Sequence, residues 1–318
     1  MDAKQKVHQL SEIIHKTLTP LIDNDFYLLE VPYYNNIGDT LIWQGEMDFL
    51  KKIPHKCKGM YSGDTFLYPE ISKDDILLFQ GGGNFGDLYP WNHNFKMDVI
   101  KHYPDNKAII FPQTIWFEKD ENLQACADFL AEHLNVIICA RDRVSYEVFK
   151  KRFKNEIILL PDMAFCINME KWDVADTGYM DLFLKRNDGE LKSYGYIVEL
   201  ENRPNVEVTD WPTMLKYDVW QTQLLKRFKA YAYRKPRILT SKVCDIVARY
   251  WYRPFLIHSG VRMIRSHNDI YTTRLHTAIL SVLLSKEKIE FFDNSYGKNK
   301  NFYNTWLADC ENIHLVQA

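Results

Sequence analysis

Short apolar runs separated by stretches of helical spacing organise the first half of this chain. The runs are Asp25 to Val31, Asp75 to Gln80, Lys107 to Phe111, Val136 to Cys139 and Glu156 to Leu160. Their cores are apolar at successive positions rather than alternating, as strands covered on both faces of a parallel sheet are. Residues 7–18, Thr40 to Lys51, Glu121 to Leu134 and Ser145 to Phe153 carry helical spacing between them. After Asp162 the regularity loosens, and a second unit begins near Ile167. It holds the segment Tyr194 to Leu200, a helix around Met214 to Tyr233, a strand over Ile270 to Thr273, a buried helix over Ala278 to Leu284 and a strand over Ile289 to Asp293. Strands alternating with helices predict an α/β protein of two domains, 1–166 and 167–318, each on a parallel sheet. A cleft should separate them, with the last helix packing back on the first domain.

The length of 318 residues suffices for two cores of ordinary size. Apolar and charged contents of 46% and 26% are those of a soluble globular chain, and a net charge of -2 argues against a general nucleic-acid binder. The six cysteines are scattered, without CxxC or metal-ligand spacing. That argues against a zinc site or a disulfide framework and for thiols that are mostly buried, in a reducing compartment. The N-terminus lacks an apolar leader, and no apolar run approaches the ~20 residues that cross a bilayer. A cytoplasmic protein is the expectation. One segment departs from this neutral average. From Lys226 to Arg265 there are eleven Lys or Arg and a single acid, Asp245, interleaved with Phe228, Tyr231, Tyr233, Tyr250, Trp251, Tyr252 and Phe255. Such a stretch suits an anionic membrane surface or a lipid pyrophosphate. A solvated helix face and RNA contact are the competing readings.

The chemistry concentrates at strand ends. Asp269-Ile-Tyr-Thr-Thr-Arg-Leu-His276 sets Arg274 and His276 two residues apart, on one side if the strand continues through them. A permanent cation beside a group that exchanges a proton near neutral pH points to an anionic substrate and proton transfer. Gly81-Gly-Gly-Asn-Phe-Gly86 satisfies GxGxxG after a strand, but Pro90 should interrupt the helix that a dinucleotide site requires. The loop (Gly81, Gly82, Gly83, Asn84) is better read as backbone N–H groups facing an anion. Two Asn-x-Gly-Asp loops place Asn36, Gly38 and Asp39, then Asp87, at the sheet edge where ligands of open α/β sheets bind. Either Asp39 or Asp87 could serve as a base toward a hydroxyl, or cap a helix. Pro112-Gln113, Arg141 with Ser145 as a helix cap, and Pro161-Asp162 end the remaining strands.

Taken together these landmarks resemble the polysaccharide pyruvyltransferase family, most closely its exopolysaccharide type. They are Asn36-Ile-Gly-Asp39, Gly81 to Asp87, Phe111-Pro-Gln113, Arg141-Asp142 with Ser145, Pro161 to Phe165, Thr273-Arg-Leu-His276 and Asp293-Asn-Ser-Tyr-Gly-Lys298. The resemblance implies two Rossmann-like domains in a GT-B-like arrangement. It also implies transfer of a pyruvyl group from phosphoenolpyruvate, the donor, onto two hydroxyls of a sugar, without a cofactor or a metal. Arg141, Arg274 and Leu275 would hold the donor, His276 would act as acid, and Lys298 would meet a phosphate or only solvent. The family's second-domain strand and loop correspond to Phe183 to Glu190, where Arg186 is read as a surface arginine or an anion contact. Thr277 stands where many relatives carry glycine. The acceptor would be a surface-polysaccharide repeat, carried on a lipid, with the enzyme peripheral at the inner membrane face. A nucleotide-sugar glycosyltransferase and a non-catalytic glycan- or lipid-binding subunit are the rival readings.

Overall fold

The computed structural model describes residues 1–172, 174–192, 195–214, 220, 223–224, 226–227, 230 and 237–316, without the side chains of 237–240. The first half opens with α1 (Ala3–Leu18), then β1 (Phe26–Leu29), α2 (Ile37–Leu50), β2 (Cys57–Tyr61), β3 (Ile76–Phe79), β4 (Gly82–Gly86) and α3 (Pro90–His102). It continues with β5 (Ala108–Trp116), α4 (Asp120–Ala131), β6 (Val136–Ala140), α5 (Arg143–Arg152) and β7 (Glu156–Leu159). These strands form a seven-stranded parallel sheet in the order β2-β1-β3-β5-β6-β7, with β4 paired to the far end of β5. The second half holds β8 (Met180–Leu184), α6 (Gly195–Glu201), β9 (Val206–Thr209), α7 (Arg237–Val247), a π-helical turn (Ala248–Tyr252) and α8 (Arg253–Arg265). Then come β10 (His267–Thr272), α9 (Leu275–Leu283), β11 (Ile289–Phe292), α10 (Lys298–Trp306) and β12 (Ile313–Val316). Its five strands are parallel in the order β12-β11-β10-β8-β9. The fold is thus α/β with two Rossmann-like sheets.

Side chains alternate across each strand, so one sheet feeds two cores. Ile76 and Leu78 join the core that also takes Leu182, Ile270 and Ile289 of the second sheet. Leu77 and Phe79 enter a separate core on the opposite face, with Phe85, Ile110 and Phe149. The shared core runs through α1, α2, α8 and α9, which lie between the sheets, so the two halves meet across apolar packing. Gly45 brings α2 against the 3-10 turn Met163–Cys166, because a Cβ there would fall 1.9 Å from the Met163 carbonyl oxygen. At the other end of the chain, α10 rests on the β6–α5 corner. Trp306 Nε1 donates to Arg141 O at 2.7 Å, and the Arg143 N–H donates to Thr305 Oγ1 at 3.1 Å.

Several sequence expectations change. β5 does not end at Pro112-Gln113 but runs on to Trp116 and receives β4 as a partner. The glycine segment is accordingly a short strand, with Gly82 and Gly86 at φ 132°. Pro90 opens α3 instead of interrupting it, as proline at the first helical position does. β10 stops at Thr272, so Arg274 is the N-cap of α9 and His276 lies in its first turn. Asp142, not Ser145, caps α5 by accepting from the Ser145 N–H at 2.8 Å. The helix expected over Met214 to Tyr233, together with Phe228, Tyr231 and Tyr233, falls largely outside the described residues.

Asp245 of α7 is buried against the first half, where it accepts from Tyr33 Oη at 2.9 Å and Thr65 Oγ1 at 2.8 Å. Burial pushes its carboxyl up to about 6, outweighing those two bonds. An acid whose folded pKa is raised keeps a proton that the unfolded chain releases from about pH 4 upward. Stability therefore falls as pH rises from about 4 to about 6, by about 1–3 kcal/mol from this group, and levels off above. Asp245→Asn keeps an acceptor without the charge. It is expected to raise the thermal midpoint at about pH 7 and to flatten the slope between about pH 4 and 6. An unchanged pH profile in a melting series would refute this account of Asp245.

Candidate active site

The C-terminal edges of both sheets face a cavity of about 360 Å³ between the halves, the position ligands take in open α/β folds. From the first half, the loop after β1 and the start of α2 contribute Tyr34, Asn36, Gly38 and Asp39. Asn36 caps α2, accepting from the Gly38 N–H at 2.9 Å and the Asp39 N–H at 3.4 Å. Its own amide donates to Asp39 Oδ2 at 2.8 Å, and Tyr34 Oη donates to the same oxygen at 2.9 Å. Asp39 is thereby aimed from the first turn of the helix rather than spent on capping it.

The glycine segment supplies Gly83 and Asn84 to the wall. Buried Gln113 fixes it from beneath: its amide donates to Gln80 O at 2.7 Å, and its Oε1 accepts from the Asn84 N–H at 3.2 Å. The Gly81 N–H is not offered to a ligand. It donates to Glu46 Oε1 at 2.9 Å, and burial drives the Glu46 carboxyl well above the usual range. Gly82 is likewise absent from the cavity wall.

Asp87 lies elsewhere. It accepts from the Glu118 N–H at 2.8 Å and from Asn122 Nδ2 at 3.0 Å, beside a separate groove against α3 and α4. Some burial pushes its carboxyl up, but the bonds from Asn122 and the backbone win and leave it lowered. The two Asn-x-Gly-Asp loops therefore differ: the first faces the cavity, and the second secures the start of α4.

The cations converge, each against a carboxylate. Arg141 at the end of β6 is buried, donating from Nη1 to Asp162 Oδ2 at 2.9 Å and from Nε and Nη2 to Thr114 Oγ1. Arg274 makes a two-point pair with Asp210, at 2.5 and 2.6 Å. Arg186, expected on the surface or at an anion, is buried and lines the cavity, bonded to Asp188 and to Glu190 at 2.6 Å. Lys298 opens α10 after left-handed Gly297 and donates to Glu190 Oε2 at 2.9 Å. Glu190 also accepts from Tyr89 and Tyr296 hydroxyls and from the Asn294 amide. Lys298 and Arg186 hold its carboxyl well below the usual range although burial opposes them.

His276 and Leu275 complete the wall. His276 Nε2 lies 3.3 Å from Asp162 Oδ2, so one buried carboxylate serves both Arg141 and His276. Together they hold Asp162 well below the usual range against its burial. Gly38 admits the imidazole: a Cβ there would sit 2.6 Å from His276 Nδ1 and 3.1 Å from its Cβ. Sequence reasoning assigned no role to Asp162, Asp188, Glu190 or Asp210. The available signal was an acid at the polar end of a short apolar run, as in Leu160-Pro-Asp162 and Val208-Thr-Asp210.

Gly38→Ala separates helix from site. Alanine favours the helix interior by up to about 1 kcal/mol, so the fold should hold. The His276 ring has to move, which an imidazole proton resonance reports. An unmoved His276 signal would show that Gly38 does not set its position.

Comparison with known proteins identifies the family. The model of the family described as polysaccharide pyruvyl transferase matches residues 36–296. The chain is 30% identical to the Bacillus subtilis protein named "Putative pyruvyl transferase EpsO", over 99% of this chain and 93% of that one. It is 28% identical to Pyruvyl transferase 1 of Schizosaccharomyces pombe, over 89% and 70% of the two chains. An uncharacterized Klebsiella pneumoniae protein of known crystal structure shares the fold, with a TM-score of 0.65 at 20% identity over 97% of this chain and 99% of that one. With the family's model matched over residues 36–296 and a relative 30% identical along nearly the whole chain, this chain belongs to the polysaccharide pyruvyl transferase family.

Proposed function

We propose that the cavity takes phosphoenolpyruvate and transfers its pyruvyl group to two hydroxyls of one sugar in a surface-polysaccharide repeat. The observation that carries this reading is the convergence of Arg141, Arg186, Arg274 and Lys298, with His276 among them, on one cavity. A carboxylate and a phosphate on a three-carbon skeleton are anions that guanidinium groups grip at two points. His276 gives a proton to the methylene carbon, making C2 electrophilic. The first hydroxyl adds to C2 while Asp39 takes its proton. The bond from C2 to the phosphate oxygen breaks, and the second hydroxyl closes the ketal. Of the two hydroxyl protons, one balances the proton gained by the methylene carbon, and the other leaves with phosphate.

A ligand that binds only the folded state raises the melting temperature by mass action. Phosphoenolpyruvate should therefore shift the melt, whereas UDP- and GDP-sugars should not. Arg274→Ala should abolish the shift, and His276→Ala should keep most of it while losing phosphate release on incubation with acceptor. A shift with a nucleotide sugar alone would replace this reading with a glycosyltransferase.

Glu190 competes for the cations that the donor needs. In Glu190→Gln the Arg186 and Lys298 charges face the cavity with one fewer counter-charge. The apparent affinity for phosphoenolpyruvate, read by titration calorimetry, is expected to rise roughly tenfold, equivalent to about 1.4 kcal/mol. A weaker affinity in a variant that melts like the parent would mean that Glu190 positions these cations rather than competing for them.

A further inference from the structure

We propose that the outer face of α7 and the π-helical turn after it is a docking face for an anionic lipid surface. Between Lys226 and Arg265 the chain carries eleven bases against one acid. That acid, Asp245, points into the protein and is bonded to Tyr33 and Thr65. Lys242 and Arg249, the bases whose side chains are described on α7 and the turn, thus have the one acid of their segment turned away from them.

The same face carries apolar side chains in water. Val243, Ile246 and Tyr250 are 40%, 59% and 70% exposed. Their spacing of three and four residues sets them in one row. Lys242 is exposed beside the row and Arg249 is half-buried next to Tyr250, while Ser241, Cys244, Asp245, Ala248 and Tyr252 face inward. A row of aliphatic and tyrosyl side chains rimmed by Lys and Arg matches the boundary between acyl chains and anionic headgroups. Nucleic acid would use the bases but leave the apolar row in water. Among the described residues no helix is long and apolar enough to cross a membrane, so the contact is one of lying on the surface.

The face adjoins the site through one short segment. Tyr33 holds Asp245, and the next residues, Tyr34, Asn35 and Asn36, line the cavity. Docking here would set the cavity beside the headgroups, where a saccharide on a lipid carrier would be presented. That consequence rests on the proposed function; the docking face does not.

The test is co-sedimentation of the full chain with vesicles of phosphatidylcholine alone or mixed equally with phosphatidylglycerol. Binding is expected to the mixed vesicles only, and to weaken with salt. Ile246→Glu and Tyr250→Glu lie on the exposed row and line no part of the cavity, so melting temperature and donor binding should match the parent. Each should lower vesicle binding roughly tenfold, and Lys242→Gln by several-fold, at about 1 kcal/mol per charge at the surface. No binding to mixed vesicles, binding untouched by either glutamate, or binding of an RNA oligonucleotide in place of vesicles would overturn the proposal. Because no outcome depends on phosphoenolpyruvate, failure of the docking face and failure of the proposed reaction can be told apart.

Discussion

The candidate active site depends on one buried carboxylate. Asp162 stands at the end of the last strand of the first sheet and accepts from Arg141 of that sheet, from His276 of the second half and from the Ala164 N–H. Taking a carboxylate out of water is costly unless its partners are fixed, and losing one partner of such a group costs about 3–5 kcal/mol. The carboxylate therefore constrains the geometry of both halves. The guanidinium must stay at the β6 end and the imidazole must stay on α9, or Asp162 is left buried and underbonded. The apolar packing of α1, α2, α8 and α9 between the sheets supplies the rigidity that this requires.

The remaining cations follow the same rule with a different outcome. Arg274 is held by Asp210, while Arg186 and Lys298 share Glu190. These counter-charges keep long side chains ordered in the absence of ligand, so less side-chain freedom remains to be lost on binding. They also set a threshold, since an entering anion has to offer more than the carboxylate it displaces. Elsewhere the chain uses a sealed version of the same device. Glu30, in the left-handed region at the end of β1, pairs at 2.6 Å with Lys96, and both are fully buried. That pair joins β1 to α3 and has no place in the cavity wall.

What was legible in the sequence follows from burial. The strands β1, β3, β5 and β6 were visible because both faces are covered and their cores are apolar, and the edge strand β7 because of its Ile157-Ile-Leu-Leu160 run. The edge strands β2, β9 and β12 were not, because Cys57-Lys-Gly-Met-Tyr61, Val206-Glu-Val-Thr209 and Ile313-His-Leu-Val316 leave one face to polar contacts. The β-branched Ile270 to Thr273 run suggested a strand carrying Arg274 and His276. Tertiary packing instead ends the strand at Thr272 and starts a helix, which still delivers both side chains to one cavity. Arg141 and Arg274 could be picked out by their place at strand ends, whereas the pairing of each cation with its carboxylate could not. Local sequence does not say which acid folds back beneath which arginine.

Gly45 lies inside a buried helix, lines no part of the cavity and contributes no polar side chain. Yet α2 can touch the turn that follows Asp162 only because position 45 has no Cβ. Any side chain there would lever the 163–166 turn away from the helix and carry Asp162 out of reach of Arg141 and His276. In terms of sequence drift, this remote backbone position is as closed to change as the residues that would touch a substrate. Its reason is clearance between two backbones, which no inventory of reactive groups would reveal.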